Sequence, residues 1–141
     1  MALPNPTDEQ IKEILMNAKT IAVVGLSDNP DRTSYRVAQR MQSYGYKIIP
    51  VNPMVTEVLG EKAVGSLTDL KEPVDIINVF RRTEQIPPVA EEAVKYGQAK
   101  VFWMQLGLVH DGAAELCREH GMTVIMDNCI KVAYRTLVGQ E

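Results

Sequence analysis

The apolar positions of the chain fall into two rhythms that take turns along its length. Short runs that are apolar almost throughout, Thr20–Val24, Lys47–Val51, Val74–Phe80, Ala99–Met104 and Met122–Met126, read as strands buried on both faces. Between them apolar residues recur every three or four positions, the spacing of an amphipathic helix. Thr7-Asp8-Glu9-Gln10 has the form of a capping box, so a first helix is expected over about residues 8–18, with Ile11, Ile14, Leu15 and Ala18 facing inward. Ser34 is expected to cap a second helix with Val37, Ala38, Met41 and Tyr44 inside and Gly45 as its stop. Residues 54–72 are less regular, with a short edge strand expected at Lys62–Val64 and Ser66 capping a brief helix through Leu70. Thr83 and Pro87-Pro88 open another helix closed by Gly97. Asp111 is expected to cap a helix running to about His120, and Asp127 or Asn128 to begin the last one, with Ile130, Ala133, Tyr134 and Leu137. Unbroken alternation of strand and helix calls for an α/β fold: a doubly wound parallel sheet of about five strands with helices on both faces.

Composition narrows the function classes. Residues 1–141 have the length of one domain, and a 45% apolar content can fill one core. A net charge of −3 gives no general attraction to nucleic acid or to an anionic membrane, so a basic site has to be local. The amino-terminal Met1-Ala2-Leu3-Pro4-Asn5-Pro6 lacks a basic stretch followed by a long apolar one, and a cytoplasmic protein is expected. Cys117 and Cys129 form no CxxC pair and are expected to be reduced thiols.

Candidate chemistry gathers where a parallel sheet collects its loops. The turns after the strands, Gly25–Tyr35, Asn52-Pro53, Phe80-Arg81-Arg82 and Gln105-Leu106-Gly107, should converge on one crevice. A nicotinamide dinucleotide is the obvious occupant, but its fingerprint needs glycines where this chain has Ser27 and Pro30. The second strand, moreover, ends in Val51-Asn52-Pro53 without the carboxylate that would hold a ribose 2′-hydroxyl. Meanwhile the rim collects Arg32, Arg36, Arg81 and Arg82 on an acidic chain, which suits a ligand with several phosphate charges.

The run Val24-Gly25-Leu26-Ser27 with Pro30 and Arg32-Thr33-Ser34-Tyr35, then Pro50-Val51-Asn52-Pro53, Val79-Phe80-Arg81-Arg82 and Trp103-Met104-Gln105-Leu106-Gly107, resembles the small stand-alone coenzyme A-binding proteins. These in turn are similar to the amino-terminal domain of the succinyl-CoA synthetase alpha subunit. The resemblance implies a Rossmann-like fold that binds coenzyme A or an acyl-CoA through its ADP portion, without implying a reaction. It also implies roles: Gly25, Leu26 and Ser27 for the pyrophosphate, with Arg32 and Ser34 supporting the phosphates. Asn52, Pro53 and Val51 would bound the adenosine, Phe80 and Arg81 would flank the adenine or a phosphate, and Gln105 would reach the pantetheine arm.

Several residues carry a plainer reading beside the functional one. Arg81 and Arg82 are adjacent, so at least one is expected to be a solvated surface charge. Trp103 is core or a subunit contact, and together with an exposed edge strand it leaves a homodimer open. His110 near a strand end suggests a phosphohistidine, but that reaction needs a second domain and a partner subunit. Cys129, at a helix start, is either a packed thiol or one able to exchange with a ligand thiol. Two other functions stay in view: a nicotinamide-dependent oxidoreductase or redox sensor, and a detached subunit of an acyl-CoA ligase.

Overall fold

A computed structural model describes residues 5–139 of the chain; the reading of Met1–Pro4 as free of a leader lies outside them. Five strands, β1 (Thr20–Val24), β2 (Lys47–Val51), β5 (Val74–Val79), β6 (Ala99–Met104) and β7 (Thr123–Ile125), form one sheet in the order β2-β1-β5-β6-β7. Every pairing within it is parallel. The sheet is α/β and Rossmann-like, as the alternating pattern requires. Side chains alternate between its faces, so each strand serves two cores. Ala22, Val24, Ile77, Val79, Phe102 and Met104 pack on α3 (Ile86–Tyr96) and α4 (Asp111–Glu119). Ile21, Val23, Ile76, Val101, Trp103 and Ile125 pack on α1 (Asp8–Asn17), α2 (Thr33–Ser43) and α5 (Ile130–Ala133). Burial on both faces is the reason these strands show no polar alternation.

Helix ends explain most departures from expectation. The Thr7 hydroxyl accepts from Gln10 N–H at 3.2 Å while the Gln10 side chain accepts from Thr7 N–H at 2.9 Å, the reciprocal cap anticipated for α1. Ser34, by contrast, is not the cap of α2: Arg32 occupies that position and its side chain caps nothing. Likewise His110, not Asp111, caps α4, its Nδ1 accepting from Ala113 N–H at 3.0 Å. Cys129 precedes α5, which continues into a π-helix over Tyr134–Val138. The expected edge strand at Lys62–Val64 is instead a small hairpin of β3 (Glu57–Val58) and β4 (Glu61–Lys62), followed by one parallel bridge from Val64 to Val51. Trp103 is fully buried and donates from Nε1 to the Asn128 carbonyl at 2.8 Å, so it is core and no subunit contact.

The topology sets the site. From β1 the chain crosses through α2 to β2 on one side, and from β2 it returns past β1 to β5 on the other. The strand order therefore reverses between β1 and β5, and the loops that leave their carboxyl ends diverge around a crevice.

Candidate functional site

Gly25 opens that crevice. Its N–H donates to the Val51 carbonyl at 2.8 Å, while Phe80 N–H donates to the Val24 carbonyl at 2.9 Å, so the turn is wedged between the ends of β2 and β5. The backbone takes φ +85°, and a Cβ there would lie 2.1 Å from the Phe80 carbonyl oxygen. Only glycine fits. The loop beyond it is folded by its own polar side chains. Ser27 N–H donates to Ser34 Oγ at 3.1 Å, Asn29 N–H to Ser27 Oγ at 3.0 Å, and Asp31 N–H to Asn29 Oδ1 at 2.9 Å. Each is a local turn of the kind Ser and Asn side chains favour, and together they fix the path from β1 into α2. Ser34, buried in the first turn of α2, thus works as an acceptor for the loop. Ser34→Ala is expected to cost about 1–2 kcal/mol, because Ser27 N–H loses its partner in a half-buried place, seen as a lower urea midpoint with an unchanged slope.

A cleft of about 840 Å³ lies over these loops. It brings together eight of the sequence-derived candidates: Gly25, Ser27, Arg32, Ser34, Asn52, Phe80, Arg81 and Gln105. Three stand apart from its lining. The Leu26 side chain is fully buried in the core beneath α2, Val51 is buried in the opposite core, and Pro53 is exposed outside the cleft. The expectation of Val51 as an apolar wall is corrected, because a residue ending a strand of a two-faced sheet points into a core, whereas the role implied for Leu26 is that of a backbone N–H in the turn and does not depend on its side chain. Arg82 and Cys129 also line the cleft, and the structure adds Gln85 and Leu108. Both adjacent arginines border the cleft where the backbone bends into a short 3-10 turn at Thr83–Gln85; Arg81 is half-buried, while Arg82 is exposed and is the solvated charge expected of the pair. No periodicity marks such a turn, which is why Gln85 gave no signal.

Charge distinguishes this cleft. Its ionisable side chains are Arg32, Arg81 and Arg82 against Asp31, leaving net positive charge on an acidic chain. Among the described residues none of the three arginines is paired with a carboxylate. The Arg81 stem lies over the turn, its Cδ 3.5 Å from where a Gly25 Cβ would be. Thr33 and Ser34 bring the first turn of α2 to the cleft, with no side-chain cap and no acidic residue in that turn. Unbonded N–H groups and the positive end of the helix dipole therefore face the cleft, an arrangement that favours negative charge. Arg36 is outside the lining, its Nε 3.5 Å from the Pro30 carbonyl. A second cavity of about 850 Å³ lies at the amino ends of β5, β6 and β7, but Glu13 and Asp75 offset Lys100 and Arg118 there. Volume does not separate the two cavities; electrostatics does.

The polar residues of the cleft have divided duties. Asn52 is a latch: its Nδ2 donates to the Leu26 carbonyl at 3.0 Å and its Oδ1 accepts from Met54 N–H at 2.9 Å, which holds the β1 and β2 loops together. Gln105 is 5% exposed, and its Oε1 accepts from Asn78 Nδ2 and from Ile130 N–H, both at 3.3 Å. Asn78, buried within β5, also donates to the Trp103 carbonyl at 3.4 Å. The loop beyond Gln105 is tied down by Asp127, whose Oδ1 accepts from Gly107 N–H at 2.7 Å.

His110 lies outside the cleft, and its cap of α4 assigns it a structural duty. His110→Ala is expected to lower stability by about 0.5–2 kcal/mol with ligand binding intact, measured by urea denaturation and titration calorimetry. The two cysteines differ sharply. Burial pushes the Cys117 thiol up to about 12, whereas Cys129 is half-buried at the cleft. A thiol with so high a pKa holds almost no thiolate at pH 8, so iodoacetamide is expected to alkylate Cys129 while leaving Cys117 intact in the native protein. Peptide mapping by mass spectrometry reads both sites. Among the described residues no group of three or more His, Cys, Asp or Glu is placed to hold a metal, and no helix is long and apolar enough to cross a membrane.

Comparison with known proteins gives the family and the fold. The chain is 58% identical over 132 residues to the protein YneT of Bacillus subtilis (strain 168), covering 94% of this chain and 97% of that one. It is 28% identical over 137 residues to the alpha subunit of an ADP-forming acetate–CoA ligase I of Pyrococcus furiosus, covering 86% of this chain but 30% of the subunit. Among solved structures, a protein from Pyrococcus horikoshii OT3 superposes with a TM-score of 0.91 at 33% identity, covering 99% of both chains. The sequence profile of the family described as CoA binding domain matches residues 19–135, which include β1, β7 and every loop that lines the cleft. The chain belongs to the CoA binding domain family.

Proposed function

We propose that the cleft at the carboxyl ends of β1 and β5 binds coenzyme A or an acyl-CoA through its ADP portion, in the cytoplasm, and that this domain catalyses no reaction on its own. The observation that carries the reading is the uncapped amino end of α2 beside three arginines, none of them ion-paired with a carboxylate of the described residues and only Asp31 set against them in the cleft. The pyrophosphate takes the N–H groups of the Gly25 turn and of the first turn of α2. Ser27 Oγ, which already accepts from Asn29, has its O–H left to donate. Arg32, from the start of α2, and Arg81, from over the Gly25 turn, serve the pyrophosphate, and Arg82 serves the phosphate on the ribose. Gln105 and Leu108 line the path of the pantetheine arm. A dinucleotide fits less well, because the Asn52 side chain is committed to its own loops and offers no carboxylate to a ribose.

The test is a competition. Protein loaded with a fluorescent coenzyme A analogue is titrated with coenzyme A, NAD and NADP. Coenzyme A is expected to displace the probe at the lowest concentration; displacement by a dinucleotide at lower concentration would reverse the assignment. The match to part of a ligase subunit favours a second reading, a detached subunit that presents coenzyme A to a separate ATP-using partner. Co-purification of the tagged protein with a chain carrying its own ATP site would establish it.

A further inference from the structure

The cleft has a second end. Adjacent strands lie about 4.8 Å apart, so the loop after β6 and the chain after β7 stand roughly 10–15 Å from the end of β1. A ligand anchored by phosphates at β1 and β5 and extended across the sheet therefore arrives at Cys129, which follows β7 and lines the cleft half-buried. Gln105 lies on the way. Its Oε1 is committed to Asn78 and Ile130, and among the described residues its Nε2 has no partner, so this almost fully buried side chain presents a lone donor to the cleft. Such a donor marks where the carbonyl of an amide-containing arm passes.

We infer that Cys129 is a thiol–disulfide exchange site for the ligand bound in this cleft, and that it forms a mixed disulfide with the thiol end of coenzyme A. The inference rests on the coenzyme A reading and deepens it. The Cys129 thiolate attacks one sulfur of coenzyme A disulfide. The Cys129–sulfur bond forms as the original S–S bond breaks, and the departing coenzyme A thiolate takes up the proton that Cys129 released. The symmetrical disulfide is the oxidant, and a small reducing thiol reverses the step. Cys117 sits on the core face of α4, outside the cleft, and serves as an internal control.

The experiment exposes the native protein separately to coenzyme A disulfide, to pantethine, which lacks the nucleotide, and to glutathione disulfide. Intact mass and peptide mapping follow each with time. Cys129 is expected to gain one coenzyme A less two hydrogens at least about tenfold faster than it reacts with either nucleotide-free disulfide, because binding holds the sulfurs together. Cys129→Ser should gain nothing, and Arg81→Ala should lower the rate toward that of pantethine. Equal rates for the three disulfides, modification at Cys117, or no adduct at all would overturn the inference. Calorimetry of the wild type with coenzyme A under reducing conditions separates the two failures. Binding without an adduct removes only the exchange, whereas no binding removes the coenzyme A reading as well.

Discussion

Replacing Arg32 or Arg81 by alanine is expected to weaken coenzyme A binding by roughly 10- to 150-fold, the effect of losing one charge-assisted phosphate contact worth about 1.5–3 kcal/mol. The two should not be equal. Arg32 stands exposed at the start of α2, where water screens it, and belongs at the low end of that range. Arg81 is half-buried over the Gly25 turn and belongs at the high end. Both losses should shrink as salt is raised, since part of each contact is long-range attraction. Arg36→Ala is the matched control, because it removes a cation from the same helix outside the cleft lining. Calorimetric titration of the three variants reads the whole pattern. Equal affinities for wild type, Arg32→Ala and Arg81→Ala would mean that the phosphates lie elsewhere.

Gly25→Ala should be the most damaging single substitution in the site. A non-glycine residue at φ +85° carries about 1–3 kcal/mol of backbone strain. The added Cβ also meets the Phe80 carbonyl, a backbone atom held by the sheet and unable to swing aside as a side chain would. The end of β5 must therefore move, taking Arg81 with it. A loss of more than about 3 kcal/mol is expected, together with loss of coenzyme A binding in whatever fraction stays folded. Urea denaturation followed by circular dichroism measures the first, and titration of the folded fraction measures the second. A wild-type midpoint would show that the turn has room the structure denies it.

These two variants also separate what was legible in the sequence from what was not. The strands could be read because a two-faced sheet turns burial into continuous apolar runs, and Gly25, Gly45 and Gly97 punctuate them where positive φ is needed. Most of the cleft could be read too, because strand-end loops in a parallel sheet must meet. Caps were harder. Ser34 has the chemistry of a helix cap, but the preceding loop claims its hydroxyl, a contact seven residues back that no local rule anticipates. His110 caps α4 although histidine is an unusual choice, with the result that an apparent catalytic candidate is structural. Gln85 reaches the cleft through a backbone bend rather than through any periodic spacing, and the Asn78 to Gln105 hydrogen bond joins β5 to the loop after β6, 27 residues away. Such contacts are products of the assembled sheet.

Direct calorimetric titration of the purified protein with coenzyme A is the plainest examination of the phosphate cleft. Saturable binding at one site per chain is expected, with affinity falling as salt rises and with pantetheine alone binding far more weakly. Absence of saturable heat, or pantetheine binding as tightly as coenzyme A, would contradict a cleft built around the phosphates.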